Sequence, residues 1–247
     1  MEPSMNMERM MRKLKLRLPE CTAVAFTGGG GKTSLIFRLA EELTETGKRT
    51  IIVTTTHMAY TADRPFAENG DRKTVRKNLF RCGYTVAASL EKDSGKLCGL
   101  PEDQMKDLRD ECDVMLIEAD GSRRLPLKVP EGWEPVIPDF ADTVVGVIGL
   151  DALGKPICRT AHRAELTASF LKKKPEDTVT PEDFVKIASS ENGLRKNVGE
   201  RLYRVYLNKA DTLPSHEIPE EICRKLKKKG IQAAYGSLWP KKTENKR

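Results

Sequence analysis

Four consecutive glycines, Gly28, Gly29, Gly30 and Gly31, run directly into Lys32, Thr33 and Ser34. Without Cβ atoms, such a segment lets backbone N–H groups approach an anion closely, and a helix starting just after it adds the positive end of its dipole. Lysine at the next position can reach the β- and γ-phosphates of a nucleotide, and a threonine hydroxyl can ligate Mg2+. A second cluster, Glu118-Ala119-Asp120-Gly121, places carboxylates where a buried strand ends. A carboxylate there can hold a magnesium-bound water or orient an attacking one. Glu118 is accordingly the first choice for the metal shell with Thr33, and Lys32, Glu118 and Asp120 are the candidate catalytic groups. A third cluster, Asn208-Lys209-Ala210-Asp211, offers a carboxylate for the N1 and N2 donors of guanine, an amide for its acceptor edge and a lysine stem for its face.

Other polar groups gather at predicted strand ends. Thr54, Thr55 and Thr56 precede His57, so a hydroxyl could reach a metal or the γ-phosphate, and the imidazole could serve as acid, base or ligand. Arg123, Arg124 and Lys128 could clamp phosphate or an acidic substrate. His162 and Arg163, with Glu165, form a further polar group, and His216 reads as a turn residue. The eight-residue pattern G-x-x-x-x-G-K-[ST] would need glycine where Phe26 stands. The shorter G-x-x-G-K-[ST] fits from Gly28 to Thr33 and is similar to the loop of Mur ligase-like ATPases. Asn-Lys-x-Asp after a late strand is the guanine signature of GTPases. GTP is therefore favoured as the ligand and ATP stays open.

These groups need elements to position them. Residues 21–27 read as a strand, and residues 32–46 as a helix with Leu35, Leu39 and Leu43 on one face and Gly47 as a stop. Residues 49–54 form the next strand, giving a βαβ unit whose second strand is expected beside the phosphate loop. Residues 59–100 have weak periodicity; an irregular insertion with a hairpin is predicted there, with turn signals at Asn69-Gly70-Asp71 and Asp93-Ser94-Gly95 around a short strand at 84–89. A helix is predicted over 101–111, with strands at 113–117, 143–150, 202–207 and 231–235. A helix starts at the Thr180-Pro181 cap, and another spans 218–229. Alternating strands and helices predict a three-layer α/β/α, P-loop NTPase-like fold with a mainly parallel sheet. Its domain spans 19–238, between a basic arm at 1–18 and a basic tail at 239–247.

The charge balance of 43 basic against 36 acidic residues gives +7, and the sequence pI is about 9.0. The basic runs are dispersed and lack interleaved aromatics, so nucleic acid is not an expected partner. No apolar run approaches the roughly 18 residues of a membrane span. With no secretory signal pattern, a cytoplasmic protein without membrane association is predicted. Six cysteines lie far apart with no CxxC pair, and they read as packed thiols.

With the glycine loop, Thr54-Thr55-Thr56-His57, Glu118-Ala119-Asp120-Gly121-Ser122, a Gly149-Leu150-Asp151-Ala152-Leu153-Gly154-Lys155-Pro156 segment, His162-Arg163 and Asn208-Lys209-Ala210-Asp211 in this order, the chain resembles the YqeC family over residues 16–236. The resemblance implies a P-loop fold and an accessory role in the maturation of selenium-dependent molybdenum hydroxylases. It makes such a hydroxylase, or its cofactor, the expected partner. The acidic and Asn-Lys-x-Asp elements are also similar to those of metal-chaperone GTPases, from which the shortened loop departs. Two other functions fit the same residues: an ATP-dependent ligase or phosphotransferase acting on a small acid, and a nucleotide-dependent scaffold without catalysis.

Overall fold

The computed structural model describes residues 10–19, 22–59, 62–91, 93 and 95–238. The predicted tail at 239–247, residues 1–9 of the predicted arm, and Cys21 lie outside them. In chain order the strands are β1 (Ala23–Gly28), β2 (Thr50–Thr54), β3 (His57–Ala59), β4 (Phe66–Glu68), β5 (Tyr84–Glu91), β6 (Lys96–Cys98), β7 (Val114–Glu118), β8 (Leu127–Lys128), β9 (Thr143–Gly149), β10 (Ala161–His162), β11 (Leu202–Asn208) and β12 (Gln232–Tyr235). The helices are α1 (Met10–Lys13), α2 (Lys32–Glu45), α3 (Arg72–Cys82), α4 (Glu102–Leu108), α5 (Ile157–Thr160), α6 (Ala164–Leu171), α7 (Pro181–Ser189) and α8 (Glu217–Lys228).

The main sheet runs β12-β11-β9-β1-β7-β2-β5-β6-β3, with β4 also paired to β5. Its pairs are parallel except those of β6 with β3 and β5. Strands β1, β2, β7 and β9 are buried along their whole length, as continuous apolar runs covered on both faces should be. Helices α1 and α2 pack on one face against Val24, Phe26, Leu116 and Tyr206. The other face is shared: α3 and α4 cover Ala25, Ile51 and Met115, while α7 and α8 cover Ile148, Val205 and Leu207. The result is the three-layer α/β/α fold. The apolar stripe of α2 is the predicted one, with Leu35, Leu39 and Leu43 buried, and α7 carries the Thr180 cap in a reciprocal capping box with Asp183.

Three expectations change. Strand β2 is not beside the phosphate-loop strand, because β7 lies between them, with Glu118 in register with both Phe26 and Thr54. The carboxylate at the end of β7 thus sits at the centre of the row of strand ends. Residues 59–100 are largely regular among those described: they contain α3, a turn at Asn69-Gly70, both at positive φ, and the β5–β6 hairpin. Helix α3 escapes a periodicity reading because Val75 and Leu79 are its only buried residues among polar and basic neighbours. The basic arm is not detached either, since Met10, Leu14 and Leu16 are buried and the Met10 N–H donates to Glu42 at 2.6 Å.

Candidate functional site

The glycine loop turns between β1 and α2 through backbone that side chains disfavour. Gly30 has φ +76°, and a Cβ there would stand 2.1 Å from the Gly149 nitrogen; one on Gly31, at φ +116°, would meet Asn208 Nδ2 at 2.6 Å. Three loop N–H groups are already used within the protein. Gly28 donates to Asp120 Oδ2 at 3.0 Å, Gly29 to the Val147 carbonyl at 2.9 Å and Gly30 to the Leu125 carbonyl at 3.0 Å. The donors left for an anion are those of Gly31 and of the first turn of α2, Lys32, Thr33 and Ser34, where a helix has no acceptors of its own. The expected glycine cradle is therefore narrower than the four-glycine run suggests.

Lys32 is 3% exposed and folds back on this loop. Its Nζ donates to the Gly28 carbonyl at 2.5 Å and pairs with Asp120 Oδ1 at 3.0 Å. Thr33 Oγ1 donates to Glu118 Oε2 at 2.7 Å. Burial pushes the Glu118 carboxyl above its ordinary range; Lys32 and the Thr33 hydrogen bond oppose this, and Asp120 adds to it. A buried carboxylate beside a hydroxyl, both hard oxygen donors, fits Mg2+, and Thr33 and Glu118 are the residues that would hold it. Asp120 has another place. Besides Lys32 and Gly28 it meets Lys128 Nζ at 3.2 Å, so it anchors the loop from behind.

Lys128 was expected to clamp a ligand. Instead it is buried, donating to the Gly121 carbonyl at 2.6 Å and pairing with Glu134 at 3.0 Å. Burial raises the Glu134 carboxyl, but hydrogen bonds from Arg163, at 2.6 Å, and from Lys128 outweigh it and bring it down to about 2. A series of alternating charges thus runs from Lys32 through Asp120, Lys128 and Glu134 to Arg163.

One cleft of about 1340 Å³ gathers most of the predicted residues: Gly31, Lys32, Thr33, Ser34 and Glu118, with Thr55, Thr56 and His57, and with Arg123, Arg124, His162, Arg163 and Lys209. Asp120, Asn208 and Asp211 do not line it. Asn208 Nδ2 donates to the Gly30 carbonyl at 2.7 Å, bracing the loop. Lys209 Nζ pairs with Asp151 at 2.8 Å, and the exposed Asp211 accepts from the Ser237 hydroxyl. Thr54 Oγ1 donates to the Glu118 carbonyl at 3.0 Å and Thr55 Oγ1 to the Val136 carbonyl at 2.8 Å. His162 is held toward its neutral form by burial, with Arg163 and Lys128 adding to the effect. His216 packs edge-on against Tyr235, at the start of α8.

Four basic residues of the cleft share an unusual backbone. Arg123 (φ 48°), Arg124 (φ 64°), Arg163 (φ 58°) and Lys209 (φ 64°) are half of the eight non-glycine residues in the left-handed region among those described. Such backbone is strained for any residue but glycine, and two of the four are tied down by ion pairs, Arg163 to Glu134 and Lys209 to Asp151.

The family model described as YqeC protein matches residues 24–165. A protein of Escherichia coli (strain K12), named as uncharacterized protein YqeC, is 33% identical over 224 residues, covering 87% of this chain and 86% of its own. The chain belongs to the YqeC family. The family match takes in the glycine loop, His57, Glu118 and Arg163 and ends before Asn208. In this YqeC-family chain the sequence reading missed Glu134, Trp133 and Asp151. Glu134 and Trp133 line the cleft, with the Arg163 guanidinium 5.9 Å from the Trp133 ring. Asp151 was visible as the end of an apolar run, but its pairing with Lys209 spans 58 residues. Among the described residues, no helix is long and apolar enough to cross a membrane.

Proposed function

We propose that this chain binds and hydrolyses a nucleoside triphosphate, GTP in preference to ATP, in the maturation of a selenium-dependent molybdenum hydroxylase. The observation that carries the reading is the Thr33–Glu118 pair, 2.7 Å apart at the first turn of α2, beside free N–H donors and Lys32. Those N–H groups bind the terminal phosphates, and Lys32 exchanges part of its contact with Asp120 and Gly28 for a phosphate oxygen. Mg2+, when bound, neutralises phosphate charge. Glu118 orients the attacking water, and Arg123, Arg124 and Arg163 supply positive charge in the same cleft. Such fixed charges act on the transferring phosphoryl group without reorganising. The Asn208-Lys209-Ala210-Asp211 spacing, of which Lys209 lines the cleft, is the basis for preferring guanine. Membership of the YqeC family supports the maturation role.

The test is titration of Mg-GTP and Mg-ATP into wild type, Lys32→Ala and Asp211→Asn. GTP should bind more tightly to wild type, with at least a tenfold loss in Lys32→Ala and a selective loss of GTP in Asp211→Asn. Absence of binding, or an unaffected Lys32→Ala protein, refutes the nucleotide reading; ATP preference with a silent Asp211→Asn refutes the base assignment alone. For the cellular role, Lys32→Ala should fail to restore hydroxylase activity in cells lacking this protein.

A second reading has its own support. The cleft exceeds the roughly 300–1,000 Å³ of an ordinary ligand pocket, and its far side is lined by the left-handed arginines, His162 and Trp133. The carboxylate of a small acid bound there would attack the nucleotide, taking the phosphoryl group as nucleoside diphosphate leaves or the nucleotidyl group as pyrophosphate leaves, with His162 hydrogen-bonding the acid. Release of nucleoside diphosphate or pyrophosphate that depends on an added acid distinguishes this ligase or phosphotransferase from hydrolysis.

A further inference from the structure

The remaining rim of the cleft is the small antiparallel ribbon β3-β6-β5. Its register sets His57 directly opposite Cys98, and Cys98 opposite Ser89. Glu91 lies two residues beyond Ser89, so it projects from the same face, because side chains alternate along a strand. Three kinds of donor converge there: one imidazole nitrogen, one sulfur and one carboxylate oxygen lie within 4.8 Å of one another. Gly99 lets the ribbon pass close to the end of β2, since a Cβ there would stand 2.6 Å from the Thr54 carbonyl oxygen.

We propose that His57, Glu91 and Cys98 bind a divalent transition metal of the zinc class, with a fourth coordination position open to the cleft. The donor set decides the class. Nitrogen and thiolate ligands suit zinc-like ions and are poor partners for Mg2+, which takes oxygen. The oxygen-only Thr33–Glu118 pair and this ribbon therefore sort two different cations into one cleft. Ligands 2.0–2.3 Å from a tetrahedral ion stand about 3.5 Å apart, so the donors close by roughly 1 Å on uptake. His57 and Glu91 are exposed and Cys98 is half-buried, so side-chain rotation supplies that movement. Lys96 faces Glu91 in register and is the cation the metal competes with. As the metal–sulfur bond forms, the Cys98 thiol gives its proton to solvent. His57 and Glu91 line the same cleft as Lys32 and Glu118, which presents the ion's open position to whatever occupies that space.

Co2+ titration of the full-length chain tests the site. One equivalent should bind with a near-ultraviolet thiolate-to-cobalt absorption and tetrahedral visible bands, and Zn2+ should displace it. Cys98→Ser should abolish the near-ultraviolet band, and His57→Ala and Glu91→Gln should each weaken binding at least tenfold. Cys82 and Cys158 are exposed thiols that could bind cobalt adventitiously, so Cys82→Ser and Cys158→Ser should leave the titration unchanged. Thermal melts in chelator should superimpose for wild type and the His57, Glu91 and Cys98 variants, and those three should lose the gain in stability that Zn2+ gives wild type. A band that persists in Cys98→Ser, or wild-type affinity equal to that of His57→Ala, overturns the site. Lys32→Ala should keep full metal uptake, which separates this outcome from the nucleotide reading.

Discussion

At the phosphate-loop end of the cleft, charged groups are buried and paired in series, from Lys32 through Asp120, Lys128 and Glu134 to Arg163. At the β3-β6-β5 end, His57 and Glu91 face solvent and Cys98 is half-covered. The first end has charges that the fold cannot lose without stranding a buried partner; the second has its donors at or near the surface, where removing one strands no buried charge. Loss of a side chain at the loop is thus tied to stability more tightly than loss of one on the ribbon.

The most severe way to break this contrast is Lys128→Met. It leaves Asp120 and Glu134 buried without their shared cation, and should cost about 3–5 kcal/mol in urea unfolding. His57→Ala, by comparison, should change stability by less than about 0.5 kcal/mol. Equal losses would show that the two ends do not differ in kind. Gly30→Ala should cost about 2–3 kcal/mol, from a positive φ and a Cβ driven against the Gly149 backbone. The same unfolding measurement reads it.

The buried series also has a pH signature. Glu134 keeps its charge in the fold down to about 2, below its ordinary value near 4.3 in the unfolded chain. Its contribution is therefore full above about pH 4.3 and lost as pH falls toward 2. Glu134→Gln should lose about 2 kcal/mol at neutral pH and show a shallower decline over that acid window, measured by denaturant midpoints at stepped pH. Among the charged groups beside the loop the smallest effect is expected at Lys209→Ala, which removes a partly exposed pair with Asp151 and should cost under about 1 kcal/mol. A larger loss would place Lys209 with the buried series.

The legible parts of this protein were local. A four-glycine turn with Lys32 and Thr33, the buried runs of β1, β2, β7 and β9, and the cap at Thr180 each declare themselves within a few residues. What stayed hidden depends on residues far apart in the chain. Strand order is one case, since β7 is inserted between β1 and β2 through backbone pairing that an apolar run does not encode. Helix α3 is another, because Val75 and Leu79 make too thin a stripe. Lys128 looks like a solvent-facing cation in sequence, and only the packing of Asp120 and Glu134 around it explains its burial. Asn208 and Lys209 were found by spacing, yet their contacts to Gly30 and Asp151 were not.

The clasp of Asn208 on Gly30 joins positions 178 residues apart, and the Leu125 and Val147 carbonyls that hold Gly30 and Gly29 also come from downstream. On the ribosome, then, the loop is made long before the segment that sets it. A nascent chain that has emerged only through β9 holds the glycines and Lys32 but has no amide to fix the Gly30 carbonyl. The loop's final shape in this way waits for β11, and a product cut short before β11 carries the motif without that shape.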